Sequence, residues 1–182
     1  MTSTPAAPVV APDDPRAPDV LDLLTRHLTL MHAQSDPQDV HALDVDGLCA
    51  PHVTFLSARD VAPGGHGTRG RLLGVGALAE IAPGHGEVKS MHVAADARRR
   101  GVAAALLDHV VALAVARGYA RLSLETGTQD GFAPARALYA RAGFVDCPPF
   151  GTYRPSPASV FLTLDLAPAT PAPAVAGSGE RA

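Results

Sequence analysis

Three consecutive arginines, Arg98-Arg99-Arg100, stand directly before Gly101 and a long apolar helical repeat. The N-terminus of a helix carries partial positive charge, so basic residues there oppose the macrodipole and add nothing to stability. A bound anion reconciles them. The first N–H groups of a helix lack intrahelical acceptors, Gly101 and the small Ala103 permit close approach, and the Arg side chains flank a phosphate. A solvated basic loop is the plain alternative. Acid–base chemistry has few carriers in this chain, which holds 14 Arg but only four Glu and a single Lys, Lys89. Glu87 and Glu125 are the two Glu that fall on the strands expected before and after the helix that Gly101 opens.

Composition bounds the rest. A chain of 182 residues, 47% hydrophobic and 18% charged, has the length of one domain with a sizeable core. Fifteen Lys and Arg against 18 Asp and Glu leave a net charge of −3, which argues against nucleic acid as a partner. No apolar run reaches the ~18 residues of a membrane helix, so no membrane partner is expected. Met1-Thr2-Ser3-Thr4-Pro5 lacks the charged start and apolar core of a secretory signal. Cys49 and Cys147 read as free thiols, which fits a cytoplasmic protein. There is no H-E-x-x-H spacing for a metal and no G-x-S-x-G nucleophile elbow. Gly74-Val75-Gly76-Ala77-Leu78-Ala79 spells a dinucleotide fingerprint, but inside a predicted strand that opens no helix.

The elements that must position these residues follow from periodicity and punctuation. Residues 1–8 and 167–182 are Pro- and Ala-rich and read as flexible tails, leaving a domain over 9–166. Val9–Ala11 reads as a short strand, and Pro18–His32 as a helix with Val20, Leu24, Leu28 and Met31 on one stripe. A second, shorter helix is expected over 37–43, and a turn at Asp46-Gly47. Val53–Ala58, Leu72–Ile81 and Glu87–Val93 form an antiparallel meander. Strand alternation places Glu87, Lys89, Met91 and Val93 on one side, barring a bulge. Gly101–Arg117 is the best helix in the chain, with Gly118 at its C′ position. Arg121–Glu125 is a strand, Phe132–Ala142 a helix closed by Gly143, and Phe144–Cys147 and Val160–Leu166 are final strands. The sum is an α/β chain around a mixed central sheet.

Two segments carry a family resemblance. Arg98-x-x-Gly101-x-Ala103 is similar to the Q/R-x-x-G-x-G/A acetyl-CoA motif of the GNAT superfamily of N-acetyltransferases. Downstream, Ala135-x-x-Leu138-Tyr139-x-x-x-Gly143-Phe144 resembles the superfamily's A-x-x-L-Y-x-x-x-G-F signature. The two come in the family's order with a strand between them. The resemblance spans about residues 10–166. Gly86-Glu87-Val88-Lys89-Ser90-Met91, Leu124-Glu125-Thr126-Gly127 and Pro149-Phe150-Gly151-x-Tyr153 further resemble a small bacterial subgroup whose substrates are mostly unassigned.

The resemblance implies a mixed, mostly antiparallel sheet flanked by helices, acetyl-CoA as acyl donor, no metal, and the amine of a small molecule or peptide as acceptor. It implies that the strand ending at Val93 splays from its neighbour, with Met91, His92 and Val93 against the thioester and pantetheine. Arg98, Arg99, Arg100, Gly101, Val102, Ala103 and Ala104 then hold the pyrophosphate, largely through main-chain N–H groups. Tyr139 matches the family's general-acid tyrosine, and Glu87 the position of a general-base glutamate. Glu125, which could equally bind a cationic substrate, and His92 are rivals for the base. Phe132 stands where the family often has Asn, with Gln129 and Asp130 as nearby polar substitutes. Residues 18–48 and the loops near 125–131 and 148–157 are expected to line the acceptor pocket, with His41, Asp44, Asp46 and Tyr153 as polar candidates. A homodimer through sheet edges or final strands fits the resemblance. So do two other readings: a CoA-binding module without transfer activity, and acyl transfer to a non-amine acceptor.

Overall fold

The computed structural model describes residues 7–34, 43–60 and 69–166. The tails expected at 1–8 and 167–182 therefore lie almost wholly outside the described residues, as do His41 and most of the helix expected over 37–43. One helical turn, α2 (Val45–Leu48), occupies the place read as a turn: Asp44 caps it, accepting from the Gly47 N–H at 2.7 Å.

The remaining elements are β1 (Val9–Pro12), α1 (Pro18–Gln34), β2 (Val53–Asp60), β3 (Arg71–Ala82), β4 (His85–Val93), α3 (Val102–Ala116), β5 (Arg121–Gly127), α4 (Ala133–Arg141), β6 (Val145–Asp146) and β7 (Ser159–Asp165). They build one seven-stranded sheet in the order β1-β2-β3-β4-β5-β7-β6. Every pairing is antiparallel except β4 with β5. The expected meander is β2–β3–β4, and the β4–α3–β5 crossover supplies the parallel pair. The mixed, mostly antiparallel sheet flanked by helices is as expected.

The helices form where apolar stripes meet the sheet. Val102, Leu106, Leu107, Val110 and Ala114 of α3 are buried, and α3 stops at Gly118, whose φ of +71° suits a residue without Cβ. This face of the sheet holds the larger core, which includes Leu78, Leu122, Leu124, Tyr139 and Phe144. The other face holds a smaller one, where Val20, Leu23 and Leu24 of α1 pack on Phe55, Val75 and Ala77. The α1 stripe thus runs through Leu23 as well as Val20 and Leu24.

A buried ion cluster fixes the entry to α1. Arg59, 8% exposed, donates to Asp13 Oδ2 from Nη2 (2.8 Å) and to Asp19 Oδ2 from Nη1 (2.6 Å). Ser57 Oγ donates to the same Asp13 oxygen at 2.6 Å. Arg59→Met leaves Asp13 buried without this cation, and is expected to lower stability by about 3 kcal/mol in urea unfolding, the low end because Arg69 still reaches Asp13.

Candidate active site

The site begins where the sheet comes apart. β4 and β5 pair only at His85–Arg121, Gly86–Leu122 and Glu87–Ser123. Beyond that point Val88–Val93 and Leu124–Gly127 run on without facing one another in the ladder. The backbone groups that border the gap have no strand partner, which is the condition for taking up an extended, amide-bearing ligand.

A β-bulge sharpens the divergence. Ala77 pairs with Lys89 and Val75 with His92, so Gly76 alone faces both Ser90 and Met91. Ser90 takes a φ of +54°, a left-handed conformation that L side chains seldom adopt. The glycines opposite make the room: a Cβ on Gly76 would lie 2.7 Å from Met91 Sδ, and one on Gly74 2.8 Å from the His92 carbonyl oxygen. The fingerprint-like spelling at 74–79 is thus a record of backbone crowding.

The bulge corrects the expectation that Glu87, Lys89, Met91 and Val93 share a side. Cross-strand partners share a face, so Glu87, Lys89 and His92 lie on the α1 face. Met91 and Val93 pack against the core beneath α3. The His92 ring meets His27 of α1, with centroids 4.4 Å apart. Burial, then the charges of His27 and Arg98, hold His92 at about 3; burial holds His27 at about 4. An imidazole that resists protonation so strongly is a weak base.

The gap opens into a cavity of about 100 Å³ lined by Glu87, Lys89, Ser90, Met91, Glu125 and Tyr139, with His27, Phe132 and Tyr153 among its other walls. Residues from four elements and a loop therefore meet there, Glu87, Met91, Glu125 and Tyr139 among them, while His92 and Val93 do not line the cavity. Tyr139 is 6% exposed and packs edge-on against Phe144 at 5.8 Å. Burial, then the charge of Glu125, raises its phenol well above 10, so the proton stays on through neutral pH. Phe132 closes the position where a polar side chain was expected, while Asp130 is exposed and Gln129 Oε1 is buried without a partner. Gly127 is required here: a Cβ would stand 2.3 Å from Gln129 Oε1 and 2.5 Å from Phe132 Cδ2.

Glu87 is nearly inaccessible and firmly held. Its Oε1 accepts from Lys89 Nζ at 2.9 Å and from Tyr153 OH at 2.6 Å, and Lys89 Nζ also donates to Tyr153 OH at 2.7 Å. Burial and the charge of Glu87 push the Tyr153 phenol far up, so it serves as a donor. Tyr153 sits on the loop between β6 and β7, held by edge and tilted contacts with Phe150 (5.1 Å) and Phe161 (5.5 Å). Lys89 joins the site without a role assigned from the sequence, where it is the sole lysine and lies in the Gly86–Met91 segment beside Glu87. Asp44 and Asp46 go elsewhere: Asp44 caps α2, and Asp46 pairs with Arg16 at 2.9 Å.

At the far end of β4 the chain turns through a 3-10 segment (Ala95–Ala97) into α3. Arg99 and Gly101 both have positive φ, +60° and +79°, and no side chain caps the helix. Its first i→i−4 bond is Ala105 N–H to the Gly101 carbonyl at 3.0 Å, so the N–H groups of Val102, Ala103 and Ala104 precede the helical ladder. Arg98 and Arg99 are exposed, Arg100 lies 3.7 Å from Asp60, and nothing stands within 4 Å of where a Gly101 Cβ would be. Val102 is a core residue, so only its backbone is available. These features fit a pyrophosphate, with free donors, an open approach and flanking cations. Among the described residues no group of three or more His, Cys, Asp or Glu could hold a metal ion, and no helix is long and apolar enough to cross a membrane.

A splayed parallel pair leading to an uncapped basic helix start is an arrangement suited to an extended, phosphate-bearing ligand. The profile of the acetyltransferase (GNAT) family matches residues 22–144. The chain is 43% identical over 154 residues to the uncharacterized N-acetyltransferase YsnE of Bacillus subtilis, covering 85% of this chain and 97% of the relative. A Klebsiella pneumoniae protein provisionally named an acyl-CoA N-acyltransferase has the same fold, with a TM-score of 0.68 and 26% identity over 88% of this chain and 98% of that one. An acetyltransferase from Bacillus subtilis, solved in complex with CoA, has a TM-score of 0.60 at 18% identity, over 88% of this chain and 99% of that one. The chain belongs to the GNAT family of acetyltransferases, enzymes that use acetyl-CoA.

The buried histidines yield a test. Both titrate below the ordinary 6.5 in the folded state, so the unfolded chain binds their protons first as pH falls. Stability is therefore expected to drop between about pH 6.5 and 4, by at most ~1.4 kcal/mol per pH unit for each ring. Urea titrations of the wild type and of the His27→Phe/His92→Phe double variant check this; the variant's profile should be flatter over that window.

Proposed function

We infer that the chain transfers the acetyl group of acetyl-CoA to the amine of a small molecule or peptide. The observation that carries this reading is the convergence of Glu87, Glu125 and Tyr139 on one cavity at the β4–β5 gap. In this reading the N–H groups of Arg99 to Ala104, with the side chains of Arg98, Arg99 and Arg100, hold the pyrophosphate. The open backbone of Met91, His92 and Val93 takes the pantetheine amides and the thioester carbonyl, and a main-chain N–H there steadies the developing oxyanion.

The remaining roles follow from proton accounting. An acceptor R–NH3+ and acetyl-S-CoA yield R–NH–acetyl, CoA-SH and one proton. The ammonium, with a pKa near ~10.4 for an alkyl amine, must lose a proton before its lone pair attacks the carbonyl carbon. Glu87 accepts it on Oε2, since Oε1 is occupied by Lys89 and Tyr153. Glu125, beside Tyr139, favours a cation in the same cavity. As the C–N bond forms and the C–S bond breaks, Tyr139 gives its proton to the departing sulfur, whose ordinary thiol pKa is near ~8.5, and regains one from the second proton that the acylated nitrogen sheds.

Calorimetric titration with acetyl-CoA tests the donor: millimolar ligand without binding would sink the reading. Tyr139→Phe is expected to lower kcat roughly 100-fold, the size of a hydrogen bond to a charged group, with acetyl-CoA affinity nearly intact. Thiol release and calorimetry on the same variant check it. Unchanged turnover, or equal loss of turnover and affinity, removes Tyr139 from the chemistry.

A further inference from the structure

The gap cavity is not the only space at the site. A second cavity of about 820 Å³ lies beneath the β6–β7 loop, and Glu87, Lys89 and Tyr153 line both. These three side chains form the neck through which anything in the larger cavity reaches the gap.

Counting donors and acceptors at the neck shows what it still has to offer. An ammonium has three N–H donors and a carboxylate two oxygens. Lys89 spends two donors, on Glu87 Oε1 (2.9 Å) and Tyr153 OH (2.7 Å), and keeps one. Glu87 spends Oε1 twice, on Lys89 and on Tyr153, which leaves Oε2. The neck therefore presents one cationic donor and one anionic acceptor side by side, on residues two apart along β4. Both side chains are largely buried, 12% and 6% exposed, so each gains strongly from a partner of opposite charge.

We propose that the acceptor is a free α-amino acid with an apolar or aromatic side chain. This deepens the amine-transfer reading and rests on it. In an α-amino acid the nitrogen and the nearest carboxylate oxygen are about 3 Å apart by standard backbone dimensions. Its two charged ends are therefore close enough to meet Lys89 and Glu87 together, since these are themselves in contact, 2.9 Å apart from Nζ to Oε1. The acceptor's ammonium docks on Glu87 Oε2 and its carboxylate on the spare Lys89 donor, closing a ring of alternating charges. Its side chain then lies against Phe150 and Tyr153 in the larger cavity. A monoamine does worse at this neck, because its ammonium must share Glu87 with Lys89 and brings nothing to Lys89 in return. The docked nitrogen is also the one that loses its proton to Glu87, so recognition and reaction use the same carboxylate. The balance is unchanged: acetyl passes to nitrogen, CoA leaves as the thiol, and one proton is released.

The experiment supplies the full chain with acetyl-CoA and three pools of acceptors: L-amino acids, their carboxamides, and the matching decarboxylated amines. Thiol release gives rates, and mass spectrometry names the acetylated product. The proposal expects kcat/KM for the best amino acid to exceed that of its amide and its amine by about 10- to 100-fold, the value of one charged hydrogen bond. In Lys89→Met the preference falls to within about threefold by the same reasoning, and calorimetry with acetyl-CoA on that variant shows whether the donor site still folds. Turnover of amides or amines at rates equal to or above the amino acids overturns the proposal and leaves amine transfer standing. A preference that survives in Lys89→Met, with donor binding intact, also overturns it. No acetylation in any pool, with acetyl-CoA bound, overturns the proposal, and a peptide pool that also stays unacetylated overturns amine transfer itself.

Discussion

The break in the β4–β5 ladder after Glu87 and Ser123 is the constraint on which the site depends. A continued ladder would satisfy the backbone of both strands and leave no room for a ligand. Because pairing stops, polar backbone groups and the side chains of both sheet faces meet in one gap. Two features sustain the break. The bulge at Ser90 and Met91 turns β4 away from its course, and Gly74 and Gly76 leave space for it. On the other side, Arg136 Nη1 donates to the Gly127 (2.6 Å) and Gln129 (3.1 Å) carbonyls, so the end of β5 is tied to α4 and not to β4.

Charge is distributed so that each part of the site has one sign to deal with. The three arginines and the uncapped α3 start concentrate positive charge locally on a chain that is otherwise near neutral. The carboxylates lie at the opposite end of the gap, and the sole lysine lies among them. Lys89 Nζ holds the Glu87 carboxylate in place at 2.9 Å, which puts a cation beside the acid at the gap. The phenols of Tyr139 and Tyr153 are both kept protonated by burial and by neighbouring carboxylates, so the site has two hydrogen-bond donors that do not titrate near neutrality.

Much of the fold was legible in the chain. The apolar stripe of α3, the Gly118 stop and the alternating strands of the meander are local patterns, and they formed where they were read. The errors fall where local pattern meets a packing demand. The turn read at Asp46-Gly47 became a helical turn because Asp44 caps it. The smooth alternation read from Glu87 to Val93 failed at one left-handed residue, Ser90, whose conformation depends on glycines across the strand.

For the site, the sequence by itself determined the family, the basic helix start, and Glu87, Glu125 and Tyr139 as candidates that share one cavity. Those signals are contiguous motifs, or rare residue types at a motif's spacing. Only the tertiary structure decided that the His92 ring turns to His27, because a bulge changes which face a side chain meets. It also decided that Glu87, Lys89 and Tyr153 form one hydrogen-bonded set. Tyr153 lies 66 residues from Glu87 along the chain, and no local period records a contact made by folding a loop back over a strand.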